Sequence, residues 1–150
     1  MKILLQRVTS AAVRVEDKVV GEIKKGVLCF VGIGCDDTEE DAAWCCRRLL
    51  NARLWPDDSG RAWKMSVRSK EYQVLLVSQF TLHAQFSGNK PDFHRSMKNE
   101  PAKKFYDEFC DRVRREYAAD KVAEGEFAAY MEVSIVNDGP VTMLIDSRAR

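Results

Sequence analysis

Two continuous apolar runs constrain the fold of this chain more than any other feature. They are residues 27–33 (Val-Leu-Cys-Phe-Val-Gly-Ile) and residues 74–77 (Val-Leu-Leu-Val). A strand covered on one face alternates apolar and polar residues, whereas a strand covered on both faces is apolar throughout. The second run therefore predicts a strand that is buried on both faces, and the first run predicts a further strand.

Strand and helix signals surround this pair of runs. Residues 3–8, the Val13/Val15 pair and residues 19–20 predict further strands. Thr38 followed by Asp41 resembles a capping box, which predicts a helix ending near Asn51. A second helix is predicted from Pro101 in its first turn and from an apolar stripe at helical spacing, which comprises Phe105, Tyr106, Phe109, Val113 and Tyr117. Strands outnumber helices, and this predicts an α/β fold with a layered sheet.

The rest of the pattern is less regular. Residues 63–67 predict a short strand, and a long polar loop is expected after Val77. Near the C-terminus, residues 131, 133 and 135 and residues 141, 143 and 145 alternate as in two half-buried strands. A Gly-Pro break separates these two predicted strands.

Composition agrees with one small domain. The 150 residues are 45% hydrophobic, and no Pro/Gly/Ser-rich linker divides them, so a single domain over residues 1–150 is expected. The longest apolar stretch falls far short of the roughly 20 residues that span a bilayer. The N-terminal residues carry no cleavage-site pattern, so we expect a cytoplasmic protein without a membrane partner.

The near-zero net charge argues against general electrostatic attraction of nucleic acid by the whole molecule. There are 24 basic and 23 acidic residues, a net charge of +1, so any contact with RNA must come from local patches. One candidate patch lies in residues 90–104 and includes Lys90, Arg95, Lys98, Lys103 and Lys104. Another comprises Arg47, Arg48 and Arg53. A solvated face of mixed charge is the alternative for each of these residues.

Cysteine usage argues against a zinc site or a disulfide framework. The five cysteines are an odd number without Cys-x-x-Cys spacing, and only His83 and His94 could add imidazole ligands. No metal or cofactor is therefore expected. Cys45 and Cys46 share a helical stripe with Ala42, Leu49 and Leu50, which indicates core packing.

Two short motifs indicate where chemistry could take place. The first is Ser78, Gln79, Phe80, Thr81 and Leu82, directly after the second apolar run. It fits the end of a buried strand, but its hydroxyls and amide could also contact an ester and a ribose. Polar groups at such a point are held by a rigid scaffold and are accessible to a ligand.

The second motif is Asn137, Asp138, Gly139, Pro140, Val141 and Thr142. Asp-Gly between apolar runs is a hairpin signal, and a tight turn is the simplest interpretation. A cis Gly139–Pro140 bond is the alternative, because X-Pro bonds tolerate the cis form and glycine offers little steric objection. Such a bond would form a rigid backbone probe with almost no side chain.

Together, the two motifs resemble the signatures of the D-aminoacyl-tRNA deacylase family, Ser-Gln-Phe-Thr-Leu and Asn-x-Gly-Pro-Val-Thr. The similarity continues in Leu-Gln-Arg-Val at residues 5–8, in residues 88–93 and in residues 127–131. It implies a single-domain three-layer β/β/α sandwich that forms a homodimer. It also implies hydrolysis of the ester joining a D-amino acid, or glycine mischarged on tRNA(Ala), to the terminal adenosine of tRNA.

The resemblance also implies where the substrate lies. The catalytic segment would be Ser78, Gln79, Phe80 and Thr81 of one subunit, and Gly139, Pro140 and Asn137 of its partner would bind the amino acid. A cis Gly139–Pro140 element would leave no room for an L side chain. Arg7 would hold the Gly-Pro loop through its donors.

The group that attacks the ester is left open by the residues. Thr81 could act as nucleophile, but a threonine hydroxyl needs a base and the motif supplies none. His83 would share a face with Thr81 on a continuing strand, but the family motif has no histidine there. We favour backbone amides of Phe80 and Thr81 as an oxyanion site, with water assisted by the ribose 2′-hydroxyl.

Two other functions compete with this interpretation. A symmetric tRNA-binding module without catalysis would bind regardless of the chirality of the attached amino acid. A thiol hydrolase acting through Cys35 or Cys45 would be inactivated by iodoacetamide.

Overall fold

The computed structural model describes all residues, 1–150. Two α-helices are present, α1 (Glu39–Asn51) and α2 (Asn99–Glu116). The ten strands are β1 (Lys2–Val15), β2 (Lys18–Ile23), β3 (Gly26–Gly32), β4 (Arg53–Trp55), β5 (Met65–Ser66), β6 (Gln73–Ser78), β7 (Gln85–Ser87), β8 (Lys90–Asp92), β9 (Val122–Glu124) and β10 (Glu132–Asp146). Short 3₁₀ turns occupy Phe80–His83 and Ala119–Lys121.

One six-stranded sheet organises the molecule. Its order is β10-β1-β3-β6-β9, and β2 pairs with the C-terminal part of β1, residues 11–15. β3, β6 and β9 run parallel, while β1 is antiparallel to β3, β2 and β10. The predicted α/β class is confirmed, with a fold that consists mostly of sheet.

Both faces of the central strands are buried, as their continuous apolar sequence predicts. On β3, Val27 and Cys29 point into a large core that includes residues of both helices, whereas Leu28 belongs to a second core. On β6, Leu76 points into the large core and Leu75 belongs to the second core. Successive side chains of a strand point to opposite faces, so an uninterrupted apolar run supplies both cores at once.

The two predicted helices are present, and their apolar stripes face the large core. Tyr106, Phe109 and Val113 of α2 are buried there, together with Cys45 and Cys46 of α1. At the start of α1, the Thr38 N–H and hydroxyl both donate to Asp41 Oδ2, each at 2.9 Å. The capping interaction predicted from these two residues is therefore confirmed.

Two local predictions are wrong, and a third holds only in part. The polar loop expected after Val77 contains the 3₁₀ turn at Phe80–His83 and the β7–β8 hairpin. The strand expected at 63–67 shrinks to two residues, and Trp63 has a φ of +59°, which lies outside the strand region. The two C-terminal strands are one strand, β10, interrupted by a bulge.

Neither helix combines the length and the apolar character needed to cross a membrane.

Candidate functional site

The Ser78–Thr81 motif lies where β6 leaves the sheet. Ser78 is the last residue of β6 and pairs with Val31, and the Gln79 N–H donates to the Val31 carbonyl at 2.8 Å. Phe80 and Thr81 then open the 3₁₀ turn. The first N–H groups of such a turn have no acceptor inside the turn. The motif thus presents polar groups at the carboxyl end of a parallel strand, where open α/β sheets bind ligands.

Side-chain contacts fix the shape of this turn. The Gln79 amide donates to the Thr81 hydroxyl, and Ser96 Oγ donates to the Phe80 carbonyl at 2.9 Å. The Phe80 ring packs edge-on against Phe93, with ring centroids 5.0 Å apart, although Phe80 is 56% exposed. The turn is therefore held from two sides while Phe80 and Thr81 stay accessible.

His83 is the last residue of the turn, and its hydrogen bond argues against a role as a base. Its Nε2 lies 3.2 Å from the Gly32 carbonyl. Burial lowers the pKa of His83 below its ordinary value, against an opposing effect of that hydrogen bond. A neutral ring bound to a backbone carbonyl donates its proton there, so His83 is a structural contact for the end of β3. The continuing strand on which His83 would share a face with Thr81 is absent, because His83 is half-buried in a 3₁₀ turn.

A cavity of about 300 Å³ lies beside the turn. Ser78, Gln79 and Phe80 form one wall. The other walls come from the end of β3, the start of α2 and the segment before β10, namely Val31, Ile33, Met97, Asn99, Ala102, Phe127 and Ala128. The lining is mainly apolar, with a few polar groups at the motif, which suits an amino-acid side chain next to an ester.

The second motif forms a bulge on β10. Gln6 of β1 pairs with Thr142 and Val8 pairs with Asn137, so the four residues 138–141 face Arg7 alone. Gly139 and Pro140 project from the ladder and are exposed, as is Asn137. A bulge of this kind re-aims the strand and marks functional positions in many sheets.

Arg7 anchors this bulge. Its Nε donates to the Asp138 carbonyl at 3.0 Å and lies 3.4 Å from Asp138 Oδ2, while its Nη1 donates to the Leu54 carbonyl. The contact between Arg7 and the Gly-Pro segment expected from the resemblance is thus present in the structure.

The predicted cis bond is wrong for this structure. The chain contains no cis peptide bond, so Gly139–Pro140 is trans. The chain turns by a different device, because Gly139 has a φ of +66°, in the left-handed region that glycine adopts at little cost. A left-handed glycine in a bulge provides the change of direction without isomerising the proline.

The two motifs do not meet within one chain. Ser78 is level with Val31, which pairs with Ile3, and Ile3 lies four residues from Arg7 along β1. That is about 14 Å along the strands, and the three strand spacings from β6 to β10 add about 14 Å across the sheet. Ser78 and the Gly139–Pro140 bulge are therefore roughly 20 Å apart.

Sequence reasoning missed several residues of the cavity. Met97 lies just before α2, Asn99 and Ala102 lie in its first turn, and Phe127 comes from a turn before β10. The apolar stripe of α2 gave no sign that its first turn borders a cavity. Phe127 belongs to a segment that resembles the family, which was the one available signal.

The cysteines lie outside this cavity. Cys29, Cys45, Cys46 and Cys110 are buried, and Cys35 is exposed. Burial raises the pKa of Cys45 to about 12, so this thiol stays protonated at neutral pH. The structure therefore gives Cys45 no nucleophilic character.

The candidate basic patches differ in their pairing. Lys103 and Lys104 form ion pairs with Asp107 and Glu108 along α2, as expected for a solvated face of mixed charge. Arg47, Arg48 and Arg53 have no carboxylate partner within 4.0 Å, and the Arg48 guanidinium lies 5.0 Å from the centroid of the Trp44 ring.

Comparison with known protein families gives one consistent result. Residues 4–146 match the family model described as D-Tyr-tRNA(Tyr) deacylase. The chain is 46% identical to a D-aminoacyl-tRNA deacylase from Dictyostelium discoideum, with full coverage of both chains. It is 43% identical to D-aminoacyl-tRNA deacylase 1 from Homo sapiens, covering 99% of this chain and 71% of the human protein.

Solved structures share the fold. The protein described as the c-Myc DNA Unwinding Element Binding Protein superposes with a TM-score of 0.95 at 42% identity, covering 97% of this chain and 98% of that one. A probable eukaryotic D-amino acid tRNA deacylase superposes with a TM-score of 0.80 at 19% identity, covering 96% and 97%, and supports the fold alone.

Proposed function

Because this chain belongs to the D-Tyr-tRNA(Tyr) deacylase family of hydrolases, we propose that it cleaves the ester between a D-amino acid and the terminal adenosine of tRNA. The products are the free D-amino acid and tRNA. The observation that carries this proposal is the apolar cavity of about 300 Å³ beside the Ser78–Thr81 turn. A cytoplasmic location follows from the substrate, because charged tRNA is made and used there.

The reaction asks little of the protein beyond orientation and electrostatics. An ester is more reactive than an amide, so donors for the developing oxyanion and an ordered water suffice. The amide N–H groups of Phe80 and Thr81 supply the donors, and Ser78 and Gln79 orient the ester and ribose. The 2′-hydroxyl of the terminal ribose assists the water. No metal or cofactor takes part in this scheme.

The complete site is formed by a homodimer, in which residues 137–140 of one copy reach the Ser78–Thr81 turn of the other. The roughly 20 Å between the two motifs within one chain supports this arrangement. β10 is also an edge strand, and it exposes Val136 and Leu144 at 56% and 59%. Exposed apolar residues on an unpaired edge are typical of a surface that another chain covers.

Chiral selection then rests on steric exclusion by Gly139 and Pro140, in the trans form described above, with Asn137 beside them. Backbone and a proline ring cannot move aside by a rotamer change, so an L side chain meets a fixed surface. Glycine has no side chain to exclude, and glycine mischarged on tRNA(Ala) is accordingly a substrate. Residues 1–150 act as one deacylase domain, whose finer layering is β/β/α.

The test is release of labelled tyrosine from D-Tyr-tRNA and from L-Tyr-tRNA, with EDTA present throughout. Fast release from the D-ester alone is expected. No release from either ester would contradict the enzymatic proposal, and equal release from both would contradict chiral selection.

A binding module without catalysis is the second candidate. It is favoured by the similarity to a protein whose name describes binding to a DNA unwinding element. That function predicts retention of D-Tyr-tRNA and L-Tyr-tRNA with equal affinity and no turnover. The thiol hydrolase is tested in the same assay, since iodoacetamide would stop it and is expected to spare the deacylase.

A further inference from the structure

A second cavity, of about 390 Å³, lies next to the Gly139–Pro140 bulge. Arg7 and Asp138, which connect the bulge to β1, form one side of it. Trp55, Tyr72, Lys25 and Lys70 are among the residues that form the rest. In the proposed homodimer, the bulge contacts the partner's ester site, so this cavity would lie beside the tRNA end held there.

The charges of this cavity favour an anion. Its two carboxylates are already engaged, because Asp57 accepts hydrogen bonds from Ser59 and Arg61, and Asp138 lies 3.4 Å from Arg7. These hydrogen bonds, led by that of the Ser59 hydroxyl, lower the pKa of Asp57 below its ordinary value. Neither carboxylate is therefore free to neutralise the lysines of the same cavity.

The two lysines are the available cations. Lys25 has no carboxylate within 4.0 Å, and its Nζ lies 5.6 Å from the centroid of the Tyr72 ring. Lys70 pairs only with Asp58, at 3.3 Å, and the Asp58 side chain is 99% exposed. An ion pair this exposed contributes little and exchanges readily for another anion.

Trp55 forms part of the cavity wall, and its indole nitrogen has no hydrogen-bond partner. This residue is 3% exposed, and its indole Nε1 is the one buried side-chain nitrogen or oxygen of the chain without a hydrogen-bond partner. Leaving a buried donor unsatisfied costs about 1–3 kcal/mol. This nitrogen is enclosed by the protein, so the polar contacts available to a ligand come from the lysines.

We propose that this cavity binds a phosphodiester group of the tRNA 3′ end whose aminoacyl ester occupies the partner's site. The inference rests on the proposed function, since it assumes that the bulge contacts that ester site. A phosphodiester carries one negative charge and two free oxygens, which match the ammonium groups of Lys25 and Lys70. Every tRNA has phosphodiesters directly before its terminal adenosine, so this contact is independent of tRNA identity.

The first test compares two substrates in the variants K25Q and K24Q. Lys24 is exposed, adjoins Lys25 and does not line the cavity, so K24Q is the matched control. With D-Tyr-tRNA, K25Q is expected to raise KM about tenfold, while K24Q changes KM less than twofold. With D-tyrosyl-adenosine, which has no phosphate, the effect of K25Q should be at least fivefold smaller. Equal effects of K25Q on both substrates would overturn the inference.

The second test does not depend on catalysis. Binding of uncharged tRNA is measured between 50 and 200 mM KCl for the wild type, K25Q and K24Q. Loss of one phosphate contact is expected to reduce the slope of log K against log salt by about 1 in K25Q and to leave it unchanged in K24Q. An unchanged slope in K25Q would contradict the inference.

Failure of the inference and failure of the proposed function give different results. If the wild type hydrolyses D-Tyr-tRNA but K25Q matches K24Q in KM and salt slope, the phosphate site is wrong and the deacylase stands. If the wild type hydrolyses neither ester, the proposed function fails, and with it the placement of this cavity beside an ester. Inorganic phosphate that binds the wild type without displacing tRNA would identify a free-anion site and contradict the RNA assignment.

Discussion

At the scale of single residues, Thr81 has the hydroxyl that a nucleophile would need but no base to activate it. Its hydroxyl accepts a hydrogen bond from the Gln79 amide, and His83 is bound to the Gly32 carbonyl. A threonine hydroxyl without an adjacent base is a weak nucleophile. The backbone of the turn, which a side-chain substitution leaves in place, is the better candidate for stabilising the oxyanion.

The variant T81A is therefore expected to keep kcat for D-Tyr-tRNA within about threefold of the wild type. A substrate whose terminal ribose lacks the 2′-hydroxyl should instead lose at least about 100-fold, as expected when a general acid–base group is removed. Both rates are measured in single-turnover assays. A loss of several orders of magnitude in T81A, with an unchanged circular dichroism spectrum, would support Thr81 as the nucleophile.

Substitution of Gly139 can separate the effect of backbone strain on stability from the effect of the bulge on chiral selection. G139A adds a methyl group to a residue with a φ of +66°, and this group would lie 3.6 Å from Arg7 Nη2. The matched control G88A adds a methyl group at a similar φ of +59°, but there no atom lies within 4 Å. Both variants should lose about 1 kcal/mol of unfolding free energy in urea denaturation. Only G139A is expected to change the ratio of D-Tyr-tRNA to L-Tyr-tRNA hydrolysis. An equal change of that ratio in G88A would contradict the role of the bulge.

At the scale of elements, the start of α1 depends on one buried carboxylate. Asp41 is 2% exposed and binds Thr38, and Arg150 donates to its Oδ1 at 3.1 Å. Burial raises the pKa of Asp41, but hydrogen bonds from Thr38 and Ser147 and the charge of Arg148 outweigh it and hold the pKa well below its ordinary value. The ionised carboxylate therefore stabilises the folded state, and this contribution is lost as the pH falls below about 4.

The variant D41N is expected to lower the free energy of unfolding by about 2 kcal/mol at pH 7, because it removes the charge from a hydrogen-bonded network. The difference from the wild type should shrink at pH 3, because the unfolded chain takes up a proton at Asp41 below about pH 4 while the folded carboxylate stays ionised. Urea denaturation at both pH values measures it. D107N, which breaks an exposed i,i+4 pair on α2, is the control and should cost less than about 0.5 kcal/mol. A pH-independent penalty in D41N would contradict the electrostatic explanation.

At the scale of the whole molecule, the proposed homodimer predicts a site that requires two copies of the chain. Q79W blocks the cavity side of the site, and G139W blocks the bulge side, so each homodimer should be inactive. In a heterodimer of the two variants, one site combines two blocked halves and the other is intact. Random mixing makes about half of the dimers mixed, so about 25% of wild-type activity should return.

The control pair is Q79W with S78W, which block the same half. Neither site of that heterodimer is intact, and no activity should return. Subunits are mixed after mild denaturation and renaturation, and activity on D-Tyr-tRNA is measured. Recovery in the control pair, or none in the Q79W and G139W pair, would contradict a site shared between subunits.

Sequence reasoning succeeded where the signal is local. The apolar runs at 27–33 and 74–77 predicted β3 and β6 because a strand covered on both faces has no alternation to preserve. Thr38 and Asp41 predicted the start of α1 because a cap involves residues three apart. The stripe of α2 followed from helical spacing. Each of these patterns depends on neighbours in the chain.

The functional motifs were recognised from sequence, but their surroundings were not. The 3₁₀ turn at Phe80–His83 replaced an expected loop, since its shape depends on contacts with Gly32 and Ser96 from elsewhere in the chain. Met97 and Phe127 reach the same cavity from segments about 30 residues apart. No local pattern indicates that such segments meet.

By itself, the sequence determined the two helices, the buried central strands and the family, because side-chain periodicity and motif identity are properties of the order of residues. The tertiary structure decided what lies near what. The pairing of β1 with β10 sets a bulge at residues 138–141, puts Gly139 in the left-handed region with a trans proline, and separates it by roughly 20 Å from Ser78. Strand register brings together residues more than 100 positions apart in the sequence. The spatial distance between the two motifs is therefore set only when the chain has folded.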